Sequence, residues 1–375
     1  MHSLTVVTVD PADNTSTTSG ALAITIDTTS SAPTAVDLDT ASDSSGTGTS
    51  GTTADNLTND ATPTITGTAE AGSYVTLYDT NGTTVLGTAV TSGTITQGAA
   101  GTTGTWTITS STLADGVHSL TAKALDGAGT LSSASTALAV TVDTSTATPT
   151  IDLDTASDSA GTGTTGTTAD NRTNDTTPTI TGVAEKGASV TLYDGATGTV
   201  VLGTVVVSGT NADGAPPTGG TDSYSITSTA LAEGVHTLRV VVTDAAGNTS
   251  SATLPVTIDT STATPTLDLS VGSDTAGTGT TGTTSDDLTS VTTPVITGTG
   301  EAGSLVTISD TFGGSTVAVS PTAQVASDGT WTITLGSALA QGIHSLTVVT
   351  VDPADNTSTT SGALAITIDT TSSAP

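Results

Sequence analysis

The chain has 375 residues and sets 35 Asp and Glu against four basic side chains, Lys123, Arg172, Lys186 and Arg239, for a formal charge of −31 at pH 7. Such a surface repels phosphate backbones and anionic headgroups, which argues against nucleic-acid and membrane-surface roles and leaves cations as the natural partner. Without cysteine no disulfide or thiolate metal site can act as a staple, and no apolar run approaches the ~20 residues that span a bilayer.

Self-similarity organises the sequence. An Ile-Asp-Thr or Val-Asp-Thr ending places aspartates at Asp27, Asp143, Asp259 and Asp369, spaced by 116 residues (143 − 27 and 259 − 143) and then 110 (369 − 259). That period is too long for a solenoid repeat and suits a small sandwich domain. The run His2–Pro33 reappears letter for letter as His344–Pro375, with Met1 standing where Ile343 stands. Residues 1–27 therefore read as a partial module, the last two strands of a preceding repeat. The N-terminus has no signal-peptide pattern, and any such signal is expected elsewhere in a longer parent chain. Residues 28–144, 145–260 and 261–375 read as modules one, two and three.

In module one the first long loop gathers Asp37, Asp39, Asp43, Asp55, Asn56 and Asp60, and later turns carry Glu70 and Asp126. The stretch Gly46–Gly51 lacks the ordered aspartates of the Gly-Gly-x-Gly-x-Asp calcium repeat and reads as a flexible loop. Module two repeats the loop acids as Asp152, Asp154, Asp158, Asp170, Asn171 and Asp175, and the turn acids as Glu185 and Asp244, with Asn248 following. Its strands are expected near Pro149–Leu153, Thr179–Val183, Ser189–Tyr193, Val201–Val207, Ser223–Thr227, Val235–Thr243 and Ala252–Ile258, from alternation and Gly, Asn, Asp and Pro punctuation. Module three keeps Asp268, Asp274, Asp286 and Asp287 but has Ser270 and Val291 in place of two acids. Its turns carry Glu301, Asp352, Asp355 and Asn356.

Helical spacing is absent and Thr, Val and Ile dominate, so the fold class is all-β: tandem seven-stranded Ig-like β-sandwiches in a linear array. Each core is built from small aliphatic residues around one larger anchor, Trp106, Tyr224 or Trp331. His2, His118, His236 and His344 occupy one equivalent strand position with no second histidine beside them, and read as structural. No nucleophile elbow, phosphate loop or His-Glu-x-x-His pattern occurs, so no enzyme is expected.

In an Ig-like topology the turn after the second strand and the turn before the last face the incoming linker. Asp143 is then expected to meet Glu185 and Asp244, and Asp259 to meet Glu301 and Asp352. Such carboxylates repel one another, and calcium, which takes six to eight oxygens in flexible geometry, reverses that sign; magnesium demands a stricter octahedron. For any single aspartate, a turn former on a solvated surface is an equal alternative.

Several motifs now line up. Asp-Leu-Asp-x-x-Ser-Asp, Asp-Asn-x-Thr-Asn-Asp-x-Thr-Pro-Thr-Ile-Thr-Gly, Val-Thr-Leu-Tyr-Asp, Gly-Val-His-x-Leu, Asp-x-Ala-Gly-Asn and Val-Thr-Ile-Asp-Thr follow in order. The series resembles the bacterial Ig-like extender repeats of giant RTX-type adhesins, including biofilm and ice-binding adhesin stalks, over essentially the whole chain. The resemblance implies an extracellular stalk on the bacterial cell surface, exported by type I secretion, whose interdomain calcium ions stiffen a row of modules that holds a distal binding domain away from the cell. Asp27, Asp143 and Asp259, with Asp126, Asp244 and Asp352, fit its linker pattern; module one departs from it at Gly127-Ala-Gly129, where no Asn follows. The expected partners are neighbouring modules of the same chain, in a monomer with no direct membrane insertion and an unidentified distal ligand. The alternative is a ligand-binding module that recognises glycan, ice or another cell surface through Thr- and Ser-rich strands.

Overall fold

The computed structural model describes residues 1–44, 55–93, 102–159, 169–209, 220–275 and 285–371; the Gly46–Gly51 stretch lies outside them. In module two, Asp152–Leu153, Thr179–Glu185 and Thr221–Thr227 form a three-stranded antiparallel sheet. Facing it is a five-stranded sheet in the order Arg172–Thr173, Thr249–Ile258, Gly234–Thr243, Ser189–Asp194 and Val200–Val206. Alternate residues point inward, so Val190, Leu192, Leu238, Val240 and Val242 from one sheet meet Ile180, Tyr224 and Ile226 from the other.

Both sheets recur in module one (Thr34–Leu38, Thr64–Glu70 and Thr103–Thr109 against Leu57–Thr58, Leu138–Val142, Gly116–Leu125, Tyr74–Tyr78 and Val85–Val90). In module three the strands are Asp268–Leu269, Val295–Thr299 and Thr330–Thr334 against Leu288–Thr289, Leu364–Ile368, Gly342–Val351, Leu305–Phe312 and Ser315–Gln324.

The seven expected strands are present in module two, and an eighth joins them: Arg172–Thr173, which pairs in parallel with Thr257–Ile258. Two residues have no periodicity to read. Their extended conformation is imposed by the neighbouring strand, and Thr58, Thr173 and Thr289 are fully buried there.

Each module closes a separate core around its anchor, and the Thr-Ile-Thr-Gly or Val-Ile-Thr-Gly motif explains how the anchor fits. A Cβ on Gly67 would strike the Trp106 ring, and one on Gly298 would strike the Trp331 ring and the Thr266 carbonyl. In module two a Cβ on Gly182 would strike the Tyr224 hydroxyl and the Thr150 carbonyl, and that hydroxyl donates to the same carbonyl at 2.6 Å.

The histidines act as clamps. Nδ1 of His118, His236 and His344 lies 2.9, 3.1 and 2.8 Å from the carboxylates of Asp79, Asp194 and Asp310, while Nε2 lies 2.9 Å from the carbonyls of Ala114, Ala232 and Ala340. Both ring nitrogens thus face acceptors, which joins the hairpin arm before each histidine to the loop that precedes its own strand. At the N-terminus His2–Leu4 pairs with Leu22–Ile24, and the hydroxyls of Ser19 and Ser16 accept from Val6 and Thr8. Ser361 and Ser358 do the same for Val348 and Thr350 in module three. Among the described residues no helix is long and apolar enough to cross a membrane.

Candidate metal centre

Three strand ends from two modules converge where module one meets module two. Leu138–Val142 ends at Asp143, Thr179–Glu185 ends in Glu185, and Gly234–Thr243 runs into Asp244. Each of the three acids offers an oxygen within 4.8 Å of the others, and all three are buried. Glu185 Oε2 accepts from Thr146 Oγ1 at 2.8 Å, and Asp244 accepts the Asn248 main-chain N–H at 2.9 Å and its side-chain amide at 2.8 Å. Those donors are neutral. Burial, reinforced by the Asp244, Glu185 and Asp115 carboxylates, pushes the Asp143 carboxyl up to about 6, and burial raises Asp244 as well.

The linker is also held from behind. Asp115 accepts from Thr144 Oγ1 at 2.9 Å, Glu233 from Thr260 Oγ1 at 2.6 Å, and Gln341 takes the same role for Thr370 at 2.9 Å.

At the second junction Asp259, Glu301 and Asp352 likewise bring oxygens within 4.8 Å of one another. Burial, then Asp352 and Glu301, raise the Asp259 carboxyl. One difference stands out: Arg172 places a guanidinium nitrogen 3.4 Å from Asp259 Oδ2. Asp355 is exposed at a left-handed turn position, φ 70°, outside the triad. Asn248 and Asn356 use their amides as donors, each bridging an Asp carboxylate and the carbonyl of the linker aspartate.

The N-terminal junction is looser. Burial and the Asp126 and Asp27 charges raise the Glu70 carboxyl, yet among the described residues only the two later triads reach the 4.8 Å spacing. Thr130 stands where Asn248 stands in module two, and Asp126 Oδ2 is buried without a hydrogen-bond partner.

The loop acids divide. Asp37, Asp152 and Asp268 accept the N–H of the next residue, and Asp39 and Asp154 accept the N–H of Ala41 and Ala156 as turn formers. Asp55, Asp170 and Asp286 accept from Leu57, Arg172 and Leu288 at the short parallel strand. Asp43, Asp158 and Asp274 are buried beneath them.

The two junction triads suit a hard divalent cation. Their ligands are all oxygen, two come from one module and one from its neighbour, and at ~4 Å each carboxylate pair repels by about 1 kcal/mol in water and more when buried. Sequence spacing pointed to the triads but not to Arg172 or the linker anchors Asp115 and Glu233, whose relevance depends on which strand lies beside the linker.

A family model described as bacterial Ig-like domain matches residues 29–144, 145–260 and 261–370. Among solved structures, a tetra-tandem repeat in the extending region of a large adhesion protein is 21% identical, covering 97% of this chain and 80% of that one, with a TM-score of 0.34. A structure concerned with host cell surface retention of a bacterial ice-binding adhesin is 20% identical over 90% of this chain and 99% of that one, TM-score 0.33. Fibronectin(III)-like modules of Clostridium thermocellum CbhA are 18% identical over 60% of this chain and 94% of that one, TM-score 0.29. No curated protein matches the chain.

Proposed function

The chain belongs to the family of bacterial Ig-like domains, and from that premise we propose that it is a calcium-rigidified extender segment of a secreted bacterial cell-surface adhesin, one that projects a distal binding domain in adhesion or biofilm formation. The observation that carries this reading is the meeting of Asp143 from one module with Glu185 and Asp244 from the next, all three buried and with oxygens within 4.8 Å. At neutral pH three such charges push the modules apart. Calcium, when bound, supplies the opposing charge and the coordination that joins both sides.

The protein's own groups do the rest. Asn248 and Asn356 fix the linker carbonyl, Asp115 and Glu233 fix the following threonine, and the linker is left with few rotations to lose. A row of modules stiffened in this way gains reach with each repeat. The secretion route and the biofilm role rest on the motif resemblance, and the absence of a catalytic role on the structural use of both nitrogens in each histidine of the three modules.

Surface recognition through threonine arrays is less well supported. On the three-stranded sheets the hydroxyls already pair across strands, Thr64 with Thr109 at 3.1 Å and Thr179 with Thr227 at 3.0 Å.

Small-angle scattering in calcium and then in chelator tests the proposal. Loss of maximum dimension and a broadened pair-distance distribution on chelation are expected; identical profiles would remove calcium from the mechanism.

A further inference from the structure

We propose that the chain has a lateral, homotypic contact: the edge strand Ser315–Gln324 of module three pairs antiparallel with the same strand of a second copy. The matching edges Val85–Val90 and Val200–Val206 offer the same kind of strip. The partner is another molecule of this chain, where the sequence suggested a monomer.

Each of the three strands is the last member of its five-stranded sheet. An open edge is a template for another strand, and proteins commonly guard it with charge, proline or a bulge. Here the charge is missing. Residues 80–114, 195–212 and 311–327, which contain the three strands, include no Asp, Glu, Lys, Arg or His, in a chain of net charge −31. The acid that precedes each stretch, Asp79, Asp194 or Asp310, is engaged by a histidine at 2.9, 3.1 or 2.8 Å. Valines are exposed instead: Val85, Val90, Val200, Val201, Val206 and Val317 range from 47% to 64%.

Module three shows how such an edge is prepared. A bulge shifts its register between Val306 and Ile308, and beyond it the pairing runs unbroken from Ile308 with Val319 to Phe312 with Ser315. Gly313 and Gly314, at φ 59° and 84°, close the two-residue turn, and Phe312 stacks on the His344 ring at 4.2 Å. The arm is therefore fixed before any partner arrives. Pro321 has no N–H to give a ladder, which confines further pairing to Ser315–Ser320. Two such strands related by a two-fold axis perpendicular to the sheet keep their faces, so opposed residues share parity. A centre at Ala318 sets Val317 against Val319 of the second copy and covers the exposed valine on both.

Charge selects the occupant. A basic partner is drawn to the acid-bearing poles and gains nothing from an uncharged strip, whereas another copy is repelled by those poles and approaches most easily where neither surface is charged. A stable interface buries about 1,200–2,000 Å², more than one edge strand offers. Pairing through one edge is therefore weak, and it gains strength when edges of more than one module engage. The inference does not depend on the junction cation.

Sedimentation equilibrium of the full chain over rising concentration, in saline to screen the net charge, tests it. The average mass of the parent is expected to climb from that of one chain toward that of two. The triple variant V85K/V201K/V317K, altered only at exposed positions, should stay at one. A parent that remains single at every concentration overturns the proposal, as does a variant that associates like the parent. A second measurement locates the contact. Ala318→Cys, in a chain with no other cysteine, places the two opposed Cβ atoms about 4.5–5.5 Å apart and should yield a covalent dimer with a short bismaleimide. Thr332→Cys, exposed on the three-stranded sheet, should not, and equal yields from the two variants overturn the pairing.

Discussion

Asn248 Nδ2 donates at 2.9 Å to the main-chain oxygen of Asp143, so a single amide of module two grips the linker that leaves module one. The same nitrogen lies 2.8 Å from Asp244 Oδ2, and Asn356 repeats both contacts with Asp259 and Asp352. The two later junctions are thus bridged by protein hydrogen bonds as well as by whatever charge neutralises their acids.

Removing that amide should loosen one junction while leaving all three of its carboxylates present. Asn248→Ala loses one bond to a carbonyl and one to a carboxylate, a loss of about 1–3 kcal/mol, visible in calorimetry as an earlier transition of module two. Thr130→Asn should act in the opposite sense by giving Asp126 Oδ2 the donor it lacks. Unaltered melting in both variants would show that the bridge contributes nothing.

Arg172 makes the two junctions unequal. Its guanidinium competes with a cation for Asp259, whereas modules one and three have Leu57 and Leu288 at the matching position. Replacing it, Arg172→Leu, should raise calcium affinity at the second junction severalfold and lower stability in chelator. Because the guanidinium is partly exposed, the stability change should stay below about 1 kcal/mol. Calorimetric titration reads both effects, and equal affinity in parent and variant would place Arg172 outside the site.

Acidity should act oppositely in the two ionic conditions. The Asp143 carboxyl stands at about 6 against an ordinary 3.8, so the folded protein holds that proton more tightly than the unfolded chain. The stabilisation is complete below the unfolded value and is lost as pH rises through about 6. In chelator the melting temperature should therefore fall between pH 5 and pH 7. With saturating calcium the fall should vanish, since the ion displaces the proton, and calcium affinity itself should weaken below pH 6. A flat profile in chelator would mean that Asp143 is not shifted.

Packing gives a test independent of metal. Gly67→Ala drives a methyl group into the Trp106 ring, and Gly298→Ala into the Trp331 ring and a backbone carbonyl. Overpacking of this kind costs about 1–3 kcal/mol, and the Thr266 carbonyl, which cannot rotate away, should make Gly298→Ala the worse of the two. Chemical denaturation of each variant in calcium measures the difference.

Much of this was legible without coordinates because it depends on local pattern. The alternation in Val235–Thr243 marks a strand, and the Trp or Tyr recurring in each repeat marks a core anchor. The fixed spacing of Glu185 and Asp244 from Asp143 followed once an Ig-like topology was assumed, because that topology sends their turns to the same pole. The two-residue strand Arg172–Thr173 could not be read, since it has no period and takes its conformation from Thr257–Ile258.

The amino-acid sequence by itself determined the all-β character, the repeat period and the supply of acid without base, for these follow from composition and from residues close together in the chain. Only the tertiary structure decided which acids share a point in space, that Asn248 serves as a donor across the linker, that Arg172 reaches Asp259 across 87 positions of sequence, and that Asp43 keeps a buried oxygen without a partner. Charge and burial act through distance in space, and between residues far apart in the chain that distance is set by how two sheets and two modules pack.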